Sequence, residues 1–147
     1  METVLQSHKV LNFLDLSGLG FGDKGLKYVQ WGLAKNRVLR DLNISGNDLS
    51  NDCKHILVEM LTHTIVKSLD ISYNHLSMAG YIADRFLEIK GVIPSMAELN
   101  ISNVFKSGFD DKEVLFVSYF KRLTSLTIDK NIFEKSFVFR DFITFLT

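Results

Sequence analysis

A short phrase of the form LxL or LxI recurs five times in 147 residues, and no other feature of the chain constrains its fold as tightly. Its anchors Leu14, Leu42, Leu69, Leu99 and Leu126 stand 28, 27, 30 and 27 residues apart. Two positions later come Leu16, Ile44, Ile71, Ile101 and Ile128, and three positions earlier Leu11, Leu39, Val66, Met96 and Leu123. Five residues past each anchor are Leu19, Asn47, Asn74, Val104 and Asn131, and seven past it Phe21, Leu49, Leu76, Lys106 and Phe133. Self-similarity at such a period marks a chain built of stacked copies of one small unit.

Alternation with period two puts Leu42 and Ile44 on one side of a short strand and Asp41, Asn43 and Ser45 on the other. The following residues switch to helical spacing. Cys53, Ile56, Leu57, Met60 and Leu61 form one apolar stripe, Gly25, Tyr28, Val29 and Leu33 take the same offsets one repeat earlier, and Gly80, Ala83 and Leu87 hold several of them one repeat later. A strand and a helix with one apolar face each can bury both only against neighbouring copies, which predicts a parallel sheet inside an arc and helices outside it. The asparagines at 47, 74 and 131 fall where the chain leaves the strand, where a buried amide can satisfy loop backbone. Leu19 and Val104 interrupt that column and predict looser turns in the first and fourth repeats. The fourth also lacks an aligned Leu in "NVFKSGFDDKEV", and the extra residues of the third, "KGVIPS" with the sole proline, belong in the loop after its helix.

The chain reads as one domain. Residues 1–9 are the tail of an incomplete repeat, because "LQSHKVL" matches "LAKNRVL" in offset, and the repeats are 10–37, 38–64, 65–94, 95–121 and 122–147. Nine of twelve phenylalanines lie from Phe105 onward. Their rings either close the last repeat's core or leave an apolar end that docks on a second copy or a flanking domain.

"VLRDLNISGNDLS" and "VKSLDISYNHLS" resemble the leucine-rich-repeat consensus LxxLxLxxNxL, and the unit length is similar to the ribonuclease-inhibitor-like, cytosolic subclass. The resemblance implies an α/β solenoid, a right-handed β-α superhelix of about five repeats with its sheet concave and its helices convex. It also implies a binding module without catalysis or cofactor. The arrangement is similar as well to actin-regulating proteins such as tropomodulin and to the ligand-sensing portions of nucleotide-binding immune receptors, and the motifs select neither.

Composition narrows the function. Zero formal net charge and a pI of 6.9 give no global field toward nucleic acid or an anionic membrane. One cysteine permits no intrachain disulfide and suits a reducing compartment. The N-terminus has no secretory pattern, and apolar runs such as "VLFV" fall far short of the ~18–20 residues that span a bilayer. A soluble, cytoplasmic protein is expected.

The candidate site is the concave inner face of the sheet, where side chains point away from the core. Three columns are expected there: Phe13, Asp41, Ser68, Glu98 and Ser125; Asp15, Asn43, Asp70, Asn100 and Thr127; and Ser17, Ser45, Ser72, Ser102 and Asp129. Among these, Phe13, Asp15, Asp41, Asn43, Asp70, Glu98 and Asn100, with nearby Tyr73, are the expected protein-binding residues, and the four carboxylates favour a basic or polar partner. The same columns also read as a solvated strand face whose Ser and Asn bond one another.

Catalytic readings are weaker. Cys53 with His55 or His63 suggests a nucleophile, but its offset is held by Gly25 and Gly80 in neighbouring repeats, which marks a small core residue. His55 falls on the outer side of its helix, and His8, His63 and His75 fall in loops at unrelated offsets. No Cys/His spacing matches a metal site, and "GLGFGDKG" lacks the Lys-Ser/Thr ending of a phosphate loop. Both "NIS" triplets are products of the repeat. Tyr28 shares the buried stripe and Trp31 does not, so an exposed Trp31 offers a second contact surface. A non-enzymatic module binding a protein through its concave face is therefore expected. The alternatives are a self-associating or capping component using the Phe-rich end, and an effector imitating a host module.

Overall fold

The computed structural model describes residues 2–63, 65–76, 85, 95–105, 111–131 and 140. Five three-residue strands, β1 (Phe13–Asp15), β2 (Asp41–Asn43), β3 (Ser68–Asp70), β4 (Glu98–Asn100) and β5 (Ser125–Thr127), form one parallel sheet in chain order. The register aligns Leu14, Leu42, Leu69, Leu99 and Leu126 in a single row. The described helices are α1 (Glu2–Ser7), α2 (Gly22–Lys35), α3 (Lys54–His63), entered through a 3-10 turn at Asn51–Cys53, and α4 (Asp111–Ser118). Parallel neighbours in sequence order require a crossover each time, and α2, α3 and α4 supply it between β1 and β2, β2 and β3, and β4 and β5.

One apolar core runs through the array. Leu42, Ile44, Leu69, Ile71, Leu99 and Ile101 from the sheet side meet Leu26, Val29, Leu33, Leu57, Met60, Leu61, Phe116 and Val117 from the helices. Each fully buried aliphatic side chain contributes about 1.5–3 kcal/mol relative to exposure. Among the described residues the end strands have a neighbour on one side only, and Leu14 and Leu126 are half-buried. In the fourth repeat Phe105 is buried and meets Phe116 edge-on at 6.4 Å, supplying bulk one residue before the missing leucine.

The register of α2 differs from the sequence expectation. Its buried residues are Leu26, Val29, Gly32 and Leu33, while Tyr28 is 53% exposed. Two contacts explain the rotation. A Cβ on Gly32 would lie 2.8 Å from Leu5 Cβ, so the glycine is the seat on which α1 packs. A Cβ on Gly25 would lie 2.5 Å from Phe21 Cβ, so that turn closes on Phe21. His63 is the last residue of α3 and not a loop residue, as its offset had suggested. Gly80, Ala83, Leu87, most of "KGVIPS" and the phenylalanines at 133, 137, 139, 142 and 145 lie outside the described residues.

The asparagine column does the work its position predicts. Asn74 accepts the amides of Asn47 and Leu49 on Oδ1 and donates through Nδ2 to the carbonyls of Ile44, Ile71 and Ser72. Asn47 serves Leu16, Leu19 and Ser45 in the same way, and Asn131 serves Ile101, Ile128, Val104 and Phe105. Each amide thus ties its own turn to the preceding one. Among the described residues no earlier turn stands beside that of the first repeat, and Leu19 is exposed there. The fourth turn is not looser: Val104 is buried, and Asn131 holds its amide at 3.1 Å.

A second buried amide, Asn36, escaped the sequence reading. It donates to Leu5 O at 2.6 Å and accepts from Val38 and Leu39, clamping the end of α2 to α1 and to the next strand. His8 lies 28 residues earlier and accepts from Leu11 N through Nδ1, the same job done by an imidazole. That shared offset was the available signal.

Candidate protein-binding surface

Three-residue strands make the exposed face of the sheet narrow. Phe13, Asp41, Ser68, Glu98 and Ser125 occupy one column and Asp15, Asn43, Asp70, Asn100 and Thr127 the next, as the alternation requires. The third expected column fails in part. Ser17 and Asp129 are exposed and Ser45 is half-buried, but Ser72 and Ser102 are buried, because the chain turns inward immediately after the strand.

The second column has a structural task that its composition concealed. Asp15, Asn43, Asp70 and Asn100 each accept, on Oδ1, the backbone N–H two residues on, at 2.8, 3.0, 2.8 and 3.1 Å. These Asx turns end the strands, and they leave one polar atom of each side chain facing outward. The hydroxyl and amide of Ser17, with a smaller contribution from the Asn43 side chain, hold the Asp15 carboxyl below its ordinary value. Its contribution to stability is therefore present above the ordinary carboxyl range and fades as pH falls through the lowered value.

Across the middle of the sheet the polar groups are already bonded to one another. Asn100 Nδ2 donates to Asp70 Oδ2 at 2.8 Å, and Ser68 Oγ donates to Glu98 Oε2 at 3.0 Å. With Ser125 and Thr127 they line a shallow depression of about 130 Å³ on β3, β4 and β5. Asp41 lies one strand away and is half-buried, and Phe13 is 59% exposed on the edge strand. The face is acidic and held in place by its own bonds.

At the fourth residue after each anchor the backbone is left-handed: Gly18, Gly46, Tyr73, Asn103 and Lys130 have φ of 65, 61, 55, 51 and 59°. Glycine adopts this conformation freely; a bulky side chain there is an outlier. Tyr73 is nevertheless 46% exposed, so burial offsets little of that strain. Its hydroxyl accepts from Lys130 Nζ at 2.9 Å, and the ammonium lies 5.1 Å from the ring centroid, two repeats away along the edge. That contact raises the Lys130 pKa.

The remaining sequence candidates are dispersed. Cys53 is buried, donates to Ser50 O at 3.1 Å, and has Ser50 and Asp23 for company, with Ser50 Oγ 2.6 Å from Asp23 Oδ2. Burial first, then the Asp23 charge, pushes the thiol up to about 12 from 9.0. A thiol so disfavoured as thiolate is no nucleophile at neutral pH. The neutral form is the one the fold prefers, so the stability it confers is intact below pH 9.0 and is lost as pH rises from 9.0 toward 12. Thiol labelling of the native protein should proceed only at the rate of opening, becoming immediate in denaturant; rapid stoichiometric labelling of native protein would contradict this environment.

His55 is exposed, and the described residues contain no cluster able to hold a metal ion. Trp31 is exposed, edge-on to Tyr28 at 5.6 Å with Lys27 Nζ 4.8 Å from its ring, so it stands as a second contact candidate on α2. No described helix is long and apolar enough to cross a membrane.

A leucine-rich-repeat family model matches residues 35–52. The chain has a leucine-rich-repeat fold. The tropomodulin C-terminal domain of Caenorhabditis elegans superposes with a TM-score of 0.75 at 12% identity, over 99% of this chain and 88% of that one. The leiomodin-1 actin-binding site 2 also gives 0.75, at 14% identity, over 97% and 83%. A structure of the Chaetomium Mex67:Mtr2 subunits gives 0.56, at 17% identity, over 97% and 96%. No curated protein matches the sequence significantly.

Proposed function

We propose that this chain is a non-enzymatic protein-binding module of the ribonuclease-inhibitor-like subclass that meets its partner through the exposed sheet face and the Tyr73 edge. The contact residues in this reading are Phe13, Asp15, Asp41, Asn43, Asp70, Tyr73, Glu98 and Asn100. The observation that carries it is Tyr73: an exposed aromatic held in a left-handed turn where Gly18 and Gly46 show the unstrained choice. Strain without burial is retained where the side chain has an external use. The acidic, self-bonded face beside it supplies preformed polarity for a basic or polar partner, with little ordering cost on binding.

The leiomodin-1 domain with this fold is an actin-binding site, which makes monomeric actin the first partner to test. The single free cysteine fits a reducing, cytoplasmic setting, and the repeat boundaries 10–37, 38–64, 65–94, 95–121 and 122–147 stand as part of the reading. Self-association through the Phe-rich end is the alternative; light scattering at several concentrations decides it, and a strict monomer removes it.

The decisive comparison is wild type against Asp41→Asn/Glu98→Gln and against Tyr73→Gly. Each is titrated with actin and used for capture from a lysate of the source cell. Asp41 and Glu98 take no part in the Asx turns, so their neutralisation leaves the strands intact. Tyr73→Gly relieves a left-handed strain of about 1–2 kcal/mol while deleting the Lys130 contact, so stability should stay within about 1 kcal/mol of wild type. Partner affinity should fall about tenfold or more in both variants, and its salt dependence should flatten in the first. Unchanged affinity in both removes this surface from the proposal.

A further inference from the structure

The formal charge of zero conceals an uneven distribution, with cations gathered along one edge of the sheet. In-register parallel strands put every pre-strand segment on one edge of the sheet and every post-strand segment on the other. The described pre-strand segments, 8–12, 36–40, 65–67, 95–97 and 121–124, carry Lys9, Arg37, Arg40, Lys67, Lys121 and Arg122 and no Asp or Glu. The described post-strand segments, 16–21, 44–50, 71–76, 101–105 and 128–131, carry Asp48 and Asp129 against Lys130.

Helix geometry does not account for the whole basic edge. The helices end toward it, and each C-terminus presents about −0.5 charge, about −2 for four helices, against six full positive charges. Lys9, Arg37 and Lys121 lie close enough to helix ends to be explained this way. Arg40, Lys67 and Arg122 lie beyond them. These three line an open cavity of about 330 Å³ together with Ile65 and Ser95. Its floor is a regular ladder, with Lys67 N on Arg40 O, Ala97 N on Lys67 O and Thr124 N on Ala97 O, all at 2.7 Å. Adjacent rungs lie ~4.8 Å apart, so the cations project from closely spaced points.

Among the described residues no carboxylate lines the cavity. Arg40 reaches only the Ile65 carbonyl, at 3.5 Å, and the side chains of Lys67 and Arg122 have no hydrogen-bond or ion-pair partner among the described residues. Three positive charges around one open cavity repel one another unless an anion sits between them. Among the described lining residues there is no aromatic ring to stack a base, and Ile65 is the one apolar side chain. We infer that this edge binds a compact, multiply phosphorylated ligand, its phosphates spread over Arg40, Lys67 and Arg122, with the Ser95 hydroxyl beside them. Guanidinium forks and an ammonium are the donors that such an anion demands.

Two probes distinguish the source of the phosphates: soluble inositol hexakisphosphate by calorimetry, and phosphatidylcholine vesicles with or without phosphatidylinositol bisphosphate by co-sedimentation. The test variant is Lys67→Gln/Arg122→Gln, both exposed, and the control is Lys24→Gln/Lys27→Gln, an equal charge change on α2. Wild type should bind at least one probe, the soluble one with unit stoichiometry. The test variant should weaken that binding about tenfold or more while the control changes it less than about twofold. Response to the soluble probe alone assigns a free ligand; response to vesicles with the same variant dependence assigns a lipid headgroup. Equal loss in both double variants, or no binding of either probe by wild type, overturns the inference. Circular dichroism on each variant confirms that the fold is retained.

Discussion

Asn74→Ala should destabilise the protein by about 4 kcal/mol, read as a shift in the urea unfolding curve. The side chain is fully buried, and its one amide serves five backbone groups in two successive repeats. Alanine leaves the amides of Asn47 and Leu49 without their acceptor and removes the donor to Ile44 O. Each buried group so orphaned costs about 1–3 kcal/mol, and water entering the vacated space recovers part of it. Asn131→Ala removes an equivalent set of bonds at a half-buried position nearer the end of the described array, and about half the effect is expected there. Hydrogen exchange separates local from global loss: the Asn47 and Leu49 amides should lose protection in Asn74→Ala beyond the change at other core amides. Retained protection at both would show that the amide is not their acceptor in solution.

Leu69→Ala should cost about 3 kcal/mol, toward the lower part of the usual range for burying nothing where a leucine stood. Leu69 sits on the central strand, enclosed by Leu42, Met60, Leu61, Val66 and Met96. Two of those neighbours are methionines, whose flexible chains can move into the void and limit the penalty. Leu126→Ala on the half-buried edge strand should cost only about 1 kcal/mol. The position in the array adds a second signature. Neighbouring repeats communicate only through their shared interface, so a lesion at the centre should split unfolding into two steps and lower the apparent urea slope. A single sharp transition of unchanged slope would mean that coupling along the array survives the loss of Leu69.

The architecture was legible because stacking imposes the same demand on every copy. The Leu row and the Asn column needed nothing beyond spacing, and both stand where spacing put them. What failed was everything decided by neighbours outside the repeat unit. Tyr28 left the buried stripe because Gly32 receives Leu5 from α1, and no periodic pattern encodes that contact. Ser72 and Ser102 went inward because the strands stop after three residues, a limit that the alternation alone does not reveal.

The outward strand residues stand where the alternation put them, but their part in the turns was not foreseen. Asp15, Asn43, Asp70 and Asn100 were identified as outward polar groups, yet each also holds its own turn. Replacing them would mix damage to the fold with damage to recognition, which is why Asp41 and Glu98 are the informative positions. The basic edge was missed outright because charge was summed along the chain. Sorting the same Lys and Arg by repeat offset would have found it.

The left-handed column has a consequence for anyone who would make this protein sturdier. At Gly18 and Gly46 comfort and blankness coincide, whereas Tyr73, Asn103 and Lys130 each give up backbone ease to display a side chain. A redesign that relaxed those three corners to glycine would gain robustness and erase whatever message the margin carries. Durability and identity are opposed there, residue by residue.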